Sequence, residues 1–202
     1  MPRQIGPIVE TLMRRVRQEG GLAVDPDFAT TIYSYCEQIT NAYTHRVISS
    51  TTLSVPRQKL LFNYRIEIPD AIDIVSIRDA STGRRIDPFD NLSAIAAYDI
   101  DWFRKIDGTR FDAWCQLSRD ILILYPGQAA ASTVSVEYSK LLTLHTDFTT
   151  SYNTDSELPS EDIEFALKLS EIVLLTRFRQ LIEATNAINA FINTYQQLGG
   201  KE

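Results

Sequence analysis

The sequence has few of the residues that carry metal or covalent chemistry. Among 202 residues there are two cysteines and two histidines, and the histidines, His45 and His145, lie far apart. Neither Cys36 nor Cys115 belongs to a Cys-x-x-Cys motif, and no histidine pair has the spacing of a helical zinc site. The sequence therefore predicts two free core thiols, no metal centre and no cofactor.

Glycine is scarce as well, with eight residues, and none lies in a glycine-rich loop before a helix. A phosphate-binding loop is therefore absent, and there is no Gly-x-Ser-x-Gly nucleophile elbow. The pair Asp99 and Asp101 has a glycosidase-like character, but solvated loop acids are the favoured interpretation. We expect that the protein is not an enzyme.

Long apolar runs and excess positive charge are also missing. No run approaches the roughly 20 residues of a membrane-spanning helix, so no membrane partner is expected. The 26 acidic and 20 basic side chains give a net charge of −6, which argues against broad binding to DNA or anionic lipid. The same charge is compatible with a protein past which DNA slides without being retained.

The residues that are present form three zones, and the first, 1–46, is predicted to be a helical hairpin. Gly20-Gly21 ends one helix, and Asp25-Pro26 begins a second, with aspartate as the N-cap and proline at the first helical position. The apolar residues of the second helix are predicted to form one stripe: Phe28, Ile32, Tyr35, Cys36, Ile39 and Tyr43.

The second zone, 47–145, is predicted to be mostly strand. Apolar and polar residues alternate or cluster over 51–55, 60–68, 72–78, 114–118, 121–125 and 133–139. Ser81-Thr82-Gly83 predicts a hairpin turn. One short helix is predicted over 91–98, with Asp90 as its cap.

The third zone, 146–202, begins with a polar loop over 146–158. Pro159-Ser160 then starts a helix that is apolar on most of its faces, and a last apolar stripe ends at Gly199-Gly200. We expect a break between two helices near 179–183, although one long bent helix also fits the pattern.

Together the zones predict an α+β fold, with a helical bundle built from the N- and C-terminal helices and a β-rich insertion lobe. The predicted domains are a helical hairpin over 1–46, a β-rich lobe with one short helix over 47–145, and a loop with C-terminal helices over 146–202.

Two charge clusters are candidate surfaces for contacts between subunits. Both also have a simpler interpretation, namely a solvated helix face for the basic cluster and complementarity with the helix dipole for the acidic one. The clusters comprise Arg14, Arg15 and Arg17 in the first helix, and Glu161, Asp162 and Glu164 at the start of the third zone.

The order of several stretches resembles that of tailed-bacteriophage head-to-tail adaptor, or connector, proteins. The matching stretches are the strand–proline–strand at 64–69 and 74–78, the apolar strand with its proline turn at 121–127 and the strand at 133–138, and the helix entry at 158–162. The N-terminal residues contribute little to this resemblance, and 89–111 match nothing in it.

The resemblance implies a structural virion protein at the head–tail junction, made in the host cytoplasm. Such adaptors form a homo-oligomeric ring, typically of twelve subunits, that binds the portal, receives the tail or nozzle protein and surrounds the channel for exiting double-stranded DNA. It also implies that the C-terminal end reaches the portal, with portal-docking residues Tyr195, Gln196, Gln197 and Leu198. The alternative is another tail-completion or baseplate assembly protein without portal contact.

Overall fold

The computed structural model describes residues 3–55, 66–102, 110–118, 121–127, 130–178 and 180–199. The chain divides into two compact units. The helical unit comprises Met1–Val47 and Leu142–Glu202, and the sheet unit comprises Ile48–Leu141.

The described residues contain six helices, of which only α3 belongs to the sheet unit. They are α1 (Ile5–Gly20), α2 (Pro26–Thr44), α3 (Leu92–Tyr98), α4 (Phe148–Ser151), α5 (Ser160–Arg177) and α6 (Leu181–Gly199). The short α4 lies inside the segment predicted to be a polar loop. It forms because Asp147 accepts a hydrogen bond from the backbone N–H of Thr150, as an N-cap does.

The predicted end of the first helix and the predicted start of the second are confirmed. Gly21 follows α1 with φ of 65°, a left-handed conformation that glycine adopts without steric cost. The carboxylate of Asp25 accepts hydrogen bonds from the backbone N–H groups of Asp27 and Phe28, and Pro26 is the first residue of α2. In α3, by contrast, the cap is Asn91 and not Asp90.

The helices α5 and α6 are separate, since α5 ends at Arg177 and α6 begins at Leu181. Apolar residues of α1, α2, α5 and α6 share one core with Leu142 and Leu158. Its fully buried members include Ile5, Val9, Leu12, Val16, Ala29, Tyr33, Ala166, Leu174 and Leu175.

The sheet unit contains one mixed sheet with strand order β1-β7-β3-β4-β5-β6-β2. Six strands have five or more residues: β1 (Ile48–Val55), β3 (Ala71–Asp79), β4 (Arg85–Phe89), β5 (Ala113–Ser118), β6 (Ile121–Tyr125) and β7 (Ser132–Lys140). The strand β2 has only Ile66–Glu67, and most of the strand predicted over 60–68 lies outside the described residues.

Strand β4 connects the two halves of this sheet. Its residues Arg85 and Ile86 pair with β3 in an antiparallel ladder, as the predicted hairpin requires. Its residues Asp87–Phe89 pair with β5 in a parallel ladder. The indole N–H of Trp114 in β5 donates a hydrogen bond to the carbonyl of Ile86 at 3.1 Å, which reinforces this junction.

The prediction of a helical bundle that carries a β-rich insertion lobe is wrong. The fold is α+β, but its sheet is a continuous mixed structure and holds two of the three hydrophobic clusters. The parallel pairing of β4 with β5, across the segment that contains α3, joins the predicted hairpins into one sheet. Because that sheet buries its own apolar residues, such as Ile77, Leu122 and Val136, it is a principal part of the fold and not an appendage of helices.

Candidate interaction surface

Two long helices of the helical unit carry almost no charge. The only charged residues of α2 are Asp27, in the first turn, and Glu37, which is 1% exposed. The only one of α6 is Glu183. Each helix has 19 residues, and charged residues make up 23% of the whole chain. Such a depletion of charge is typical of surfaces that contact other proteins.

Large apolar side chains follow the exposed side of α2. Tyr35, Ile39 and Tyr43 are 50%, 57% and 81% exposed. Residues four positions apart in a helix lie above one another, so these three side chains form a stripe along α2. The buried face of the same helix is formed by other residues, including Ala29, Tyr33, Cys36 and Thr40.

Aromatic contacts connect this stripe to α5 and α6. The ring of Tyr43 stacks on that of Phe165 in α5, with centroids 6.2 Å apart and an interplanar angle of 8°. Phe165 in turn contacts Phe191 of α6 with a centroid distance of 4.9 Å. The stripe of α2 is therefore continuous, through α5, with α6.

Two more apolar residues of α6 are exposed near Phe191, the residue that contacts Phe165. Ile188 and Ile192 are 39% and 43% exposed. Asn186 and Ala190 line a groove with Arg15 of α1. Residues two apart in a helix point in nearly opposite directions, so Ile188 and Ile192 are rotated away from Asn186 and Ala190, and neither of them lines the groove.

We call the combined surface the apolar face of the helical unit. It consists of Tyr35, Ile39 and Tyr43 of α2, Phe165 of α5, and Ile188, Phe191 and Ile192 of α6. Sequence analysis placed the three α2 residues in one apolar stripe with Phe28, Ile32 and Cys36, and it did not foresee that Tyr35, Ile39 and Tyr43 are exposed whereas Cys36 is buried. At 100° per residue, Tyr35, Ile39 and Tyr43 are centred about 100° from Ala29, Tyr33 and Thr40, and this rotation is the signal that could have separated the two sets.

A charged groove of about 710 Å³ adjoins the apolar face, and Phe191 lines both of them. In it, the guanidinium of Arg15 donates two hydrogen bonds to the carboxylate of Glu164, at 2.8 and 3.3 Å. Glu171 is 6% exposed, and burial, with a hydrogen bond to Glu19 and the proximity of that second carboxyl, raises the pKa of Glu171 to about 7.

The other acidic residues singled out from the sequence contact Arg46 of the same chain. The guanidinium of Arg46 forms a hydrogen bond and ion pair with Glu161, and its Nε lies 3.6 Å from Oδ2 of Asp162. Burial raises the pKa of Asp162 although Arg46 acts in the opposite direction. The acidic cluster is therefore already paired within the helical unit.

The remaining predicted interface residues do not belong to the ion pairs of Arg15 and Arg46 described above. Arg14 and Arg17 are exposed on α1 and are the basic residues of the cluster that point away from the core. The predicted portal-docking residues Tyr195, Gln196, Gln197 and Leu198 belong to the last turns of α6, and their side chains lie outside the described part of the chain.

The residues considered for chemistry have local structural roles. Asp99 accepts hydrogen bonds from the hydroxyl of Tyr125 at 2.6 Å and from the backbone N–H of Asp101. Nδ1 of His145 lies 3.2 Å from Oγ of Ser151, and burial lowers the pKa of His145. Both cysteines are free and buried.

Among the described residues, no cluster of three or more His, Cys, Asp or Glu side chains is arranged to hold a metal ion. None of the described helices combines the length and apolar character needed to cross a bilayer. No protein-family model matches the chain, and a search of curated proteins finds no match either.

Proposed function

We propose that this chain is a structural virion protein, an adaptor subunit that forms a ring between the portal and the tail or nozzle of a tailed bacteriophage. The observation that carries the proposal is the apolar face of the helical unit, with its exposed Tyr35, Ile39 and Tyr43. The proposal of a ring at the head–tail junction comes from the sequence resemblance to adaptor proteins.

The composition of this face favours protein contact over solvent exposure. Interface cores are depleted of charge and enriched in aromatic side chains, and buried aromatic anchors supply much of the binding energy. Tyr43, 81% exposed, is already stacked on Phe165, so its ring is positioned before a partner arrives. A positioned ring loses less conformational freedom on binding than a free one.

A closed ring needs two different surfaces on each subunit, because its contacts are head-to-tail. The apolar face supplies one of them. The exposed Arg14 and Arg17 of α1 are the candidates for a second, since Arg15 is engaged by Glu164 of its own chain. The net charge of −6 suits a wall of the exit channel, because few phosphate contacts would slow the passing DNA.

Mass photometry of the purified protein mixed with the portal tests the proposal. The expected result is a portal species whose mass increases by that of twelve copies of the chain. Ile39→Glu places a carboxylate in the middle of the apolar face and is expected to weaken the assembly at least about tenfold. Thr133→Glu adds the same charge at an exposed position of β7, outside both proposed ring surfaces, and serves as the control.

No mass increase with portal would contradict the adaptor function and favour a tail-completion or baseplate protein that does not contact the portal. If Ile39→Glu and Thr133→Glu assemble equally well, the apolar face is not the contact surface.

A further inference from the structure

Strand β1 is an open edge of the sheet in the part of the chain that the structure describes. All eight of its residues pair with β7, from Ile48 opposite Ser139 to Val55 opposite Ser132, without a break in register. On its other side no described strand pairs with it. The backbone N–H and C=O groups on that side can therefore bind another strand.

The eight residues of β1 themselves lack the devices of sequence and register with which proteins block strand addition. Natural edge strands are usually short, bulged, or interrupted by charge or proline. The sequence of β1, ISSTTLSV, contains no charged residue and no proline. Its ladder with β7 has no bulge, whereas the ladder between β7 and β3 has two register shifts.

The opposite edge of the sheet is different. There the described part of β2 comprises two residues, and one of them is the exposed Glu67. Among the described strands, β1 is therefore the one long strand with an open edge, in this chain and in any second copy of it.

We propose that two copies of the chain pair through their β1 strands, antiparallel and related by a two-fold axis. Paired residues of antiparallel strands project to the same face of the sheet. In β1 the residues Ile48, Ser50, Thr52 and Ser54 are exposed and alternate with more buried ones. A two-fold axis that passes through Thr51 or through Thr52 places exposed residues opposite exposed ones and less exposed residues opposite less exposed ones. Either axis pairs seven residues of each strand.

The side chains of β1 are compatible with this self-pairing. Five of the eight carry a hydroxyl group, and cross-strand pairs of serine and threonine can form hydrogen bonds. The net charge of −6 on each copy disfavours association, but β1 itself adds no acidic side chain to the contact.

This pairing is separate from the adaptor function. A two-fold contact closes on two copies, whereas a ring requires head-to-tail contacts between different surfaces. The dimer can therefore fail its test while the portal experiment succeeds, and the reverse.

The first test is the oligomeric state of the purified chain, measured by sedimentation equilibrium over a range of concentrations. The expected species is a dimer with twice the 22.9 kDa of the chain. Thr52→Lys places two lysines close to the axis and is expected to raise the dimer dissociation constant at least tenfold. The control, Thr133→Lys, adds the same charge to an exposed position of β7, opposite Ser54 of β1. Three strand spacings and the offset from the axis would hold its two lysines about 20–25 Å apart, where salt screens their repulsion.

The second test locates the axis by single cysteine substitutions at positions 50 to 54. Only a residue on a two-fold axis meets its own copy, so Thr51→Cys or Thr52→Cys is expected to form the intermolecular disulfide fastest. The native Cys36 and Cys115 are 2% and 0% exposed and do not compete.

The proposal is overturned if the chain stays monomeric at all concentrations. It is overturned even if that monomer binds a strand of a different protein through β1. It is also overturned if both lysine variants weaken the dimer equally, or if disulfide formation has no maximum at 51 or 52.

Discussion

At the scale of single residues, the helical unit contains a carboxyl group that the fold keeps in an apolar setting. Glu37 is 1% exposed, and its oxygen accepts a hydrogen bond from the hydroxyl of Ser156, which carries no charge. Burial, with a smaller contribution from the nearby Glu157, raises the pKa of Glu37 from 4.5 to about 7. The fold therefore favours the neutral form of this side chain.

This burial predicts a stability that falls as the pH rises. Because the pKa of Glu37 in the fold lies above its ordinary value of 4.5, the stabilisation is fully present below 4.5 and is lost as the pH passes about 7. The rise of the pKa corresponds to about 3 kcal/mol. Glu37→Gln keeps the contact with Ser156 and removes this loss, so the variant is expected to be more stable than the wild type at about pH 8.

Urea unfolding followed by far-ultraviolet circular dichroism, at several pH values, measures this effect. The helical signal is required because both tryptophans, Trp102 and Trp114, belong to the sheet unit. Glu10→Gln changes an exposed glutamate of α1 and is the control. An unchanged pH dependence in Glu37→Gln would show that another group is responsible.

Sequence analysis found some of these residues but not their partners. It singled out Arg15 and Glu164 for their charge, but their pairing joins residues from opposite ends of the chain. It did not single out Glu37, because a glutamate in an amphipathic pattern gives no sign of burial. The partner Ser156 is more than a hundred positions away, and only the packing of the segment after α4 on α2 reveals it.

At the scale of elements, the four long helices α1, α2, α5 and α6 could be predicted well because their signals are local. The N-cap Asp25 with Pro26 and the terminator Gly20-Gly21 determine the ends of α1 and α2. The rotation of α2 about its axis could not be predicted, since apolar residues occur on two of its sides. Which side becomes core depends on α5, a helix more than a hundred residues later.

The sheet shows the same limit. Strand positions and the hairpin of β3 with β4 could be predicted from alternation and a turn sequence. The parallel pairing of β4 with β5 could not, because no turn joins these strands and an intervening segment that contains α3 separates them. Because of that pairing, the strands form one continuous sheet and not the β-rich insertion lobe that the sequence predicted.

The close approach of α1 to the segment after α4 gives a prediction for a helical glycine. A Cβ added at Gly6 would lie 2.7 Å from the backbone oxygen of Tyr152, as well as 2.5 Å from its ring. A backbone atom cannot move aside cheaply, so Gly6→Ala is expected to destabilise the helical unit by about 1–3 kcal/mol.

Gly20→Ala, in the same helix, is the control. Its Cβ would meet the end of the flexible Leu175 side chain at 2.9 Å, and alanine improves helix propensity by up to about 1 kcal/mol. Urea unfolding of both variants gives the comparison. Equal stability of Gly6→Ala and Gly20→Ala would mean that α1 does not approach Tyr152 this closely.

At the scale of the whole molecule, the balance of charge bears on whether the chain binds nucleic acid. It has six more acidic than basic side chains and an isoelectric point near 5.0. Of the basic side chains, Arg15 and Arg46 are occupied by carboxylates of the same chain. Binding to a DNA backbone depends on clustered basic groups that displace its counterions.

We therefore expect no retention of duplex DNA by the purified protein in a gel-shift assay, even at about 50 mM salt, where phosphate contacts are strongest. A basic DNA-binding protein of similar size in the same gel is the positive control. A shift that weakens as salt is added would reveal a basic surface and would count against a role beside a sliding duplex.

The position of β4 has a mechanical consequence. On one side of it lie β1, β7 and β3, and on the other lie β5, β6 and β2. In the described part of the sheet, tension across the strands must pass through its five residues, two held by β3 and three by β5. One of those five, Pro88, has no N–H to donate. When force is applied across this sheet, rupture should begin at β4.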